Sequence, residues 1–279
     1  MPSSLSNVAI QQFHDNFTNV YQGAAYLGDT TQSVFNAVGD AYKWPIQGEG
    51  LMVARGAFQS LVPVSDLDYE QITTTFDNWV FNLPVDIYQQ AELQIDVLSN
   101  LGQTHAKAAG RREDQTVIAA LDAATLPAAN VIADGGTNMS VAKVVEASAI
   151  LDEQNVDPDD RVLIATPSQI QALMAEDSAT NTLYVNNRVL MNGQIDTFMG
   201  FKVVTLGTRA EGGVPKAGNI RSCFAWQKSA LGRAYSITPT TEIEWSAAHQ
   251  SWLTISRMRL GASALLPKGI VEIKCDETA

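Results

Sequence analysis

The sequence predicts an α+β fold on three observations. A strand-like, glycine-punctuated stretch comes before any helix, one long amphipathic helix follows it, and a short alternation of helix and strand then gives way to strands. At 279 residues the chain can bury a sizeable core, as one large domain or two modest ones.

Residues 1–28 are polar, with scattered aromatics at Phe13, Phe17, Tyr21 and Tyr26, and hold too few apolar positions to form a core of their own. They read as an arm that docks elsewhere. From Thr30 to about Pro84 the pattern predicts a long hairpin, with Val38, Tyr42 and Ile46 facing Phe76, Trp79 and Phe81. Its tip is "QGEGLMVARGAF", and a tip of that length in a compact domain is usually functional. Asp96 is placed to cap a long helix that stops near Pro127. Along that helix Leu98, Leu101, His105, Ala108, Arg112, Val117, Ile118 and Leu121 recur at near-helical spacing and mark the buried side. Gly102 and Gly110 each cost about 1 kcal/mol against alanine, which predicts that something packs closely on them.

After a glycine-rich link, Ser140 caps the helix "VAKVVEASAILDEQ", and the turn "NVDPDD" leads into the strand "RVLIAT". Thr166, Pro167 and Gln169 open another helix with a capping box. "GFKVVTLG", a loop and a run of strands complete the order. One strand, 251–260, raises a question of its own. Leu253, Ile255, Arg257 and Arg259 share one face, while Trp252, Thr254, Ser256, Met258 and Leu260 share the other. An unpaired buried charge costs roughly 3–5 kcal/mol, so the two arginines require acids from far along the chain or from another chain. The reading favours another chain.

The net charge of −12 and a pI of about 4.6 argue against binding along a phosphate backbone or an anionic membrane. The N-terminus has no basic region or apolar run of a signal peptide, and no stretch approaches the ~20 apolar residues of a membrane span. Cys223 and Cys275 read as buried thiols in a reducing compartment, with a disulfide as the alternative.

Catalytic signatures are absent: there is no G-x-x-x-x-G-K-S/T, no G-x-S-x-G and no H-E-x-x-H. Gly48, Gly50 and Gly56 miss the dinucleotide spacing and fall at a hairpin tip. His14, His105 and His249 lie in separate segments, without the local ligand pairs of a metal site. "DEQNVDPDD" lacks the glycine and distal glutamate of a calcium loop and reads as a solvated turn. No catalytic, cofactor-binding or metal residue is singled out, and no cofactor is expected.

Five phrases carry a resemblance: "GDAYKWPIQGEG", "AGRREDQTVIAALDAA", "LDEQNVDPDDRVLIATPSQIQALM", "NGQIDTFMGFKVV" and "SWLTISRMRLGASALLPKGIVEI". In this order, and over essentially the whole length, the chain resembles the major capsid proteins of tailed bacteriophages, which share the Hong Kong 97 fold. The resemblance implies an N-terminal arm at 1–28, an extended E-loop hairpin at 29–82, and the spine helix of a P domain at 83–126. It further implies an α/β A domain at 127–232, returning P-domain strands at 233–261, and a closing A-domain strand with the C-terminus at 262–279.

On this resemblance the protein is a non-enzymatic subunit that self-assembles, as hexamers and pentamers, into an icosahedral head around double-stranded DNA. Its acidic charge suits a lining that packages DNA without binding it specifically. The residues expected to meet a neighbouring subunit are Trp44, Leu51, Met52, Arg55 and Phe58 in the E-loop, with Arg257 and Arg259 in the P-domain strand. Only a short arm precedes the E-loop, and Met1 favours an unprocessed start, so scaffolding is expected from a separate protein. A portal and a decoration protein are the other expected partners, with no membrane, and the protein belongs to the virion after synthesis in the host cytoplasm. The alternative within the fold is an encapsulin-like bacterial compartment shell; outside it, a soluble α+β enzyme with a dispersed active site. Some members of the family join an E-loop lysine to a P-domain asparagine with help from a glutamate. Here the matched positions carry Gln250 and Arg257, and Lys43 is the one lysine of the E-loop, so an uncross-linked shell is expected.

Overall fold

The structure, a computed structural model, describes residues 21–56, 64–88, 97–176 and 197–278. Strands β1 (Gln32–Val34), β2 (Ala41–Gln47), β3 (Tyr69–Thr75) and β4 (Asp77–Asp86) precede the long helix α1 (Val97–Asp122). Next come β5 (Val131–Ile132), α2 (Val141–Glu153), β6 (Arg161–Ala165), α3 (Pro167–Ala175), β7 (Thr197–Phe198), β8 (Phe201–Thr205) and β9 (Lys216–Ala217). The order closes with β10 (Ile220–Gln227), β11 (Leu231–Ser246), β12 (Ser251–Ala264) and β13 (Ile270–Asp276).

Alternation along β12 decides how the first sheet packs. Thr254, Ser256, Met258 and Leu260 are buried and lie against α1, where His105 Nδ1 is 2.7 Å from Ser256 Oγ. The sheet runs β1-β11-β12-β4, antiparallel except for the parallel β1–β11 pair. Among the described residues, α1 covers its helix-side face. A small cluster of Tyr235, Met258 and Leu260, with Trp79 and Ala109 packed on it, fills the contact.

The hairpin predicted from sequence is present but shorter and in another register. β2 pairs β3, placing Tyr42 opposite Thr74 and Ile46 opposite Glu70. Trp79 and Phe81 are not in it. They belong to β4, which pairs β12 with Trp79 opposite Met258 and Phe81 opposite Ser256. The larger sheet wins because there those rings pack against side chains of α1: the Phe81 and His105 rings lie 4.4 Å apart, and the Arg112 guanidinium stacks 4.0 Å over Trp79. Val38, expected in the hairpin, is exposed.

Two glycines let the hairpin's base approach the large sheet. A Cβ at Gly261 would meet the Thr75 carbonyl oxygen at 2.0 Å, and one at Gly232 would meet the Trp44 indole at 2.9 Å.

The second sheet runs β5-β13-β10-β6-β8-β7, with β9 also on β10. It is mixed: β6 and β8 are parallel, as are β5 and β13, while β10 is antiparallel to β13, β6 and β9. All five residues of β6 are buried, and after Arg161 the continuous apolar run 162–165 is that of a strand covered on both faces. The local signals of this part hold. Ser140 Oγ accepts the Lys143 N–H at 3.3 Å, and Gln169 Oε1 accepts the Thr166 N–H at 3.1 Å in a capping box with Pro167 in the first turn. The acidic turn before β6 folds around buried Arg161, which pairs with Asp152 at 2.7 Å and donates to the Asp157 carbonyl at 3.0 Å. Cys223 and Cys275 are both buried free thiols.

Candidate assembly interface

A cluster of long-range polar contacts converges on "RREDQ", 111–115, in the middle of α1. Asp114 is completely buried. It accepts the main-chain N–H groups of Tyr26 (3.1 Å) and Leu27 (3.1 Å), and it pairs with Arg209 Nη2 at 2.6 Å. Arg209 also donates to the carbonyls of Gly212 (2.8 Å) and Ala24 (3.2 Å). Gln115 Oε1 accepts the Gly212 N–H at 2.6 Å, and Glu211 pairs with Arg112 at 2.6 Å. Arg111 donates to Gln22 Oε1 at 3.0 Å. One helical turn thus fixes both the chain entering the fold and the loop before β9.

Gly110 makes that docking close: a Cβ there would meet the Ala25 nitrogen at 2.8 Å, which bears out the packing predicted for this glycine. At Gly102 none of the described residues lies within 4 Å of such a Cβ. Next to the junction, burial pushes the Glu113 carboxyl up despite Arg233 nearby, and burial also pushes the Tyr235 hydroxyl well above its ordinary value. These groups fasten the fold; none is arranged as a nucleophile with a base. Among the described residues no group of three or more His, Cys, Asp or Glu could hold a metal, and no helix is long and apolar enough to cross a membrane.

The residues expected at subunit contacts divide. Trp44 is a correction: it is only 5% exposed, its Nε1 donates to Thr74 Oγ1 at 2.9 Å, and it packs with Ala37, Phe76, Ala234 and Leu265. It stabilises its own subunit and has almost no surface to offer a neighbour. Leu51, Met52 and Arg55 are exposed at the hairpin tip, and Phe58 lies outside the described residues. Val53 and Val64 add to the exposed apolar surface there.

Arg257 and Arg259 correct the reasoning that sent them to another chain. Their face is turned away from α1, and both find acids within the subunit: Arg257 pairs with Glu242 at 2.5 Å and Arg259 with Asp40 at 3.0 Å. With side chains 52% and 25% exposed, neither is the buried orphan that the strand pattern suggested. Pairs this open contribute about 0–1 kcal/mol. The sequence reading missed Asp114, although a signal was there: it falls on the row of Gly110, Ile118 and Leu121, where an apolar residue belongs.

The sequence matches the phage capsid protein family over residues 5–277. The chain belongs to that family. Its function is that of a major capsid protein, a structural component of an icosahedral bacteriophage head, and membership does not favour the encapsulin alternative. No curated protein matches the sequence.

The fold is similar to several solved capsids at low identity. The capsid of cyanophage P-SCSP1u is 16% identical, with 99% of this chain and 95% of that one covered and a TM-score of 0.78. The head of Helicobacter pylori bacteriophage KHP40 is 13% identical, with 99% of each chain covered and a TM-score of 0.78. Mycobacterium phage Che8 gives 11% identity, 97% and 98% coverage, and a TM-score of 0.71.

Proposed function

We propose that this capsid protein builds its shell in the Hong Kong 97 manner, as hexamers and pentamers held together by the hairpin tip of each subunit reaching a neighbour. The observation that carries this reading is the apolar surface of Leu51, Met52, Val53 and Val64, exposed among the described residues on a tip outside both large sheets. Exposed apolar patches of this kind mark association surfaces. In this reading 1–28 is the N-terminal arm and the E-loop is the β2–β3 hairpin with its tip, so β4 goes with the P-domain sheet instead of the E-loop. That sheet and α1 form the P domain, and the second sheet with α2 and α3 forms the A domain.

Scaffolding comes from a separate protein; a portal and a decoration protein are the remaining partners. Synthesis is in the host cytoplasm, and the role is structural, without catalysis. The acidic charge keeps packaged DNA from adhering to the shell. Co-expression with scaffolding protein tests the reading: closed shells in electron micrographs are expected. Monomers or dimers alone, by light scattering under every such condition, would overturn it.

A further inference from the structure

The junction at 111–115 anchors α1 beyond Gly110. Before Gly110, the polar tie from the helix to the first sheet, among the described residues, is His105. Its side chain is fully buried, with Nδ1 2.7 Å from Ser256 Oγ, and that oxygen is 2.7 Å from Thr241 Oγ1. Nε2 has no hydrogen-bond partner, and the Phe81 ring lies against the imidazole at 4.4 Å. Gly102 and Gly110 bracket the stretch and weaken its helix.

A neutral imidazole suits this place, because Ser256 satisfies one nitrogen and an aromatic ring covers the other. An imidazolium does not suit it, since both of its nitrogens donate. Ser256 Oγ can accept one N–H and donate onward to Thr241, but the N–H at Nε2 meets no acceptor. The packed elements supply no free acid either. On α1 the charges nearest in sequence are cations, Lys107, Arg111 and Arg112, and Arg112 is paired with Glu211. Glu113 follows, 4.0 Å from Arg233. On β4, Asp77 and Asp86 are four and five residues from Phe81, about 13 Å or more along the strand. On β12 and β11, Arg257 and Glu242 pair with each other. Burial accordingly holds the His105 imidazole below its ordinary 6.5.

We propose that His105 is an acid-sensitive latch, whose protonation releases the part of α1 before Gly110 from β4 and β12 while the junction at 111–115 holds. A cavity of about 630 Å³, lined by Phe81, Thr104, His105 and Ser256 among others, lies beside the ring and admits the water that an imidazolium needs. The sign follows from linkage. The unfolded chain takes up the proton near 6.5 and the closed helix does not, so closure loses stability as pH falls below that value. Glu113, whose carboxyl is pushed up by burial, works in the opposite direction. The latch goes beyond the assembly reading and does not depend on it.

The test is hydrogen exchange of dissociated subunits from about pH 7.5 to about pH 5.5, corrected for the intrinsic effect of pH. Amides of 103–109 are compared with those of α2. Protection over 103–109 is expected to fall by up to about tenfold per pH unit below 6.5, while α2 keeps its own. His105→Gln, which cannot titrate and leaves Glu113 in place, should remove that dependence. The same dependence in both proteins, a parallel loss in α2, or no loss in the native chain would overturn the latch. If the variant does not fold, the His105 imidazole resonance of the native chain decides. A folded midpoint at or above 6.5 would overturn the proposal, and one below it would support it.

Discussion

Asp114 accepts two main-chain N–H groups and one guanidinium in a site closed to water, so its removal leaves three donors without an acceptor. Asp114→Ala should destabilise the subunit by roughly 3–5 kcal/mol in urea unfolding of dissociated protein. A loss under about 1 kcal/mol would mean that the junction is solvated and contributes like a surface pair. The sequence shows that Asp114 is anomalous, since it interrupts an apolar row, but it cannot show the partners. Those lie 88 and 95 residues away, on segments whose own patterns give no hint of an acid to come. The same holds for Arg259, whose acid is 219 residues off at Asp40.

Glu277 is a second residue with a measurable consequence. Burial alone would raise its pKa, but bonds from Arg221, Lys216 and Gln169 outweigh this and bring it from 4.5 to about 2. A carboxyl whose folded value is depressed adds stability above its unfolded pKa and loses it as pH falls towards the folded one. The urea midpoint of dissociated subunits should therefore fall between about pH 5 and pH 2, with a shallower fall in Glu277→Gln. Identical profiles for the two proteins would refute a linked role for this carboxylate.

At the level of elements, the readable features were those encoded by neighbouring residues. The capping residues of α2 and α3, the long helix α1, and the continuous apolar strand β6 follow from local chemistry and periodicity. Strand partners were less readable. Ile46, Trp79 and Phe81 all fit a strand, and only the bulk of α1 above β12 decides which sheet takes each. The hairpin tip was legible as a feature because its apolar residues sit among glycines with no periodic partner. Gly48 N–H bonds to the Asp68 carbonyl at 2.8 Å, so the hairpin's own pairing continues just past the end of β2 before the tip opens. Deleting 48–56 should then leave both sheets and α1 in place. Circular dichroism should change little while shell yield collapses. A deletion that unfolds the subunit would assign the tip to the subunit's own core and remove it from the assembly surface.

For the whole molecule, the remaining question is whether contacts alone hold the shell. An isopeptide bond needs an amine made nucleophilic by desolvation, an amide as electrophile, and a carboxylate to move protons. Lys43 is exposed on β2, well before the tip, and nothing in its strand shields the amine from water. Gln250 does carry an amide, but it stands in the turn between β11 and β12 with a positive φ of 48°. Arg257, which the resemblance matches to the proton-moving acid, is bound to Glu242. A guanidinium keeps its proton in proteins and repels an approaching ammonium, so this arrangement opposes the reaction at two of its three requirements. On the proposed assembly, shell strength then comes from apolar contacts at the tips, with any cementing protein added to them. Boiling mature particles in SDS with reductant should release one band near the 30.1 kDa of the single chain. A ladder of resistant multimers would show that another lysine and another amide meet across subunits, and that covalent links share the load assigned here to the tip.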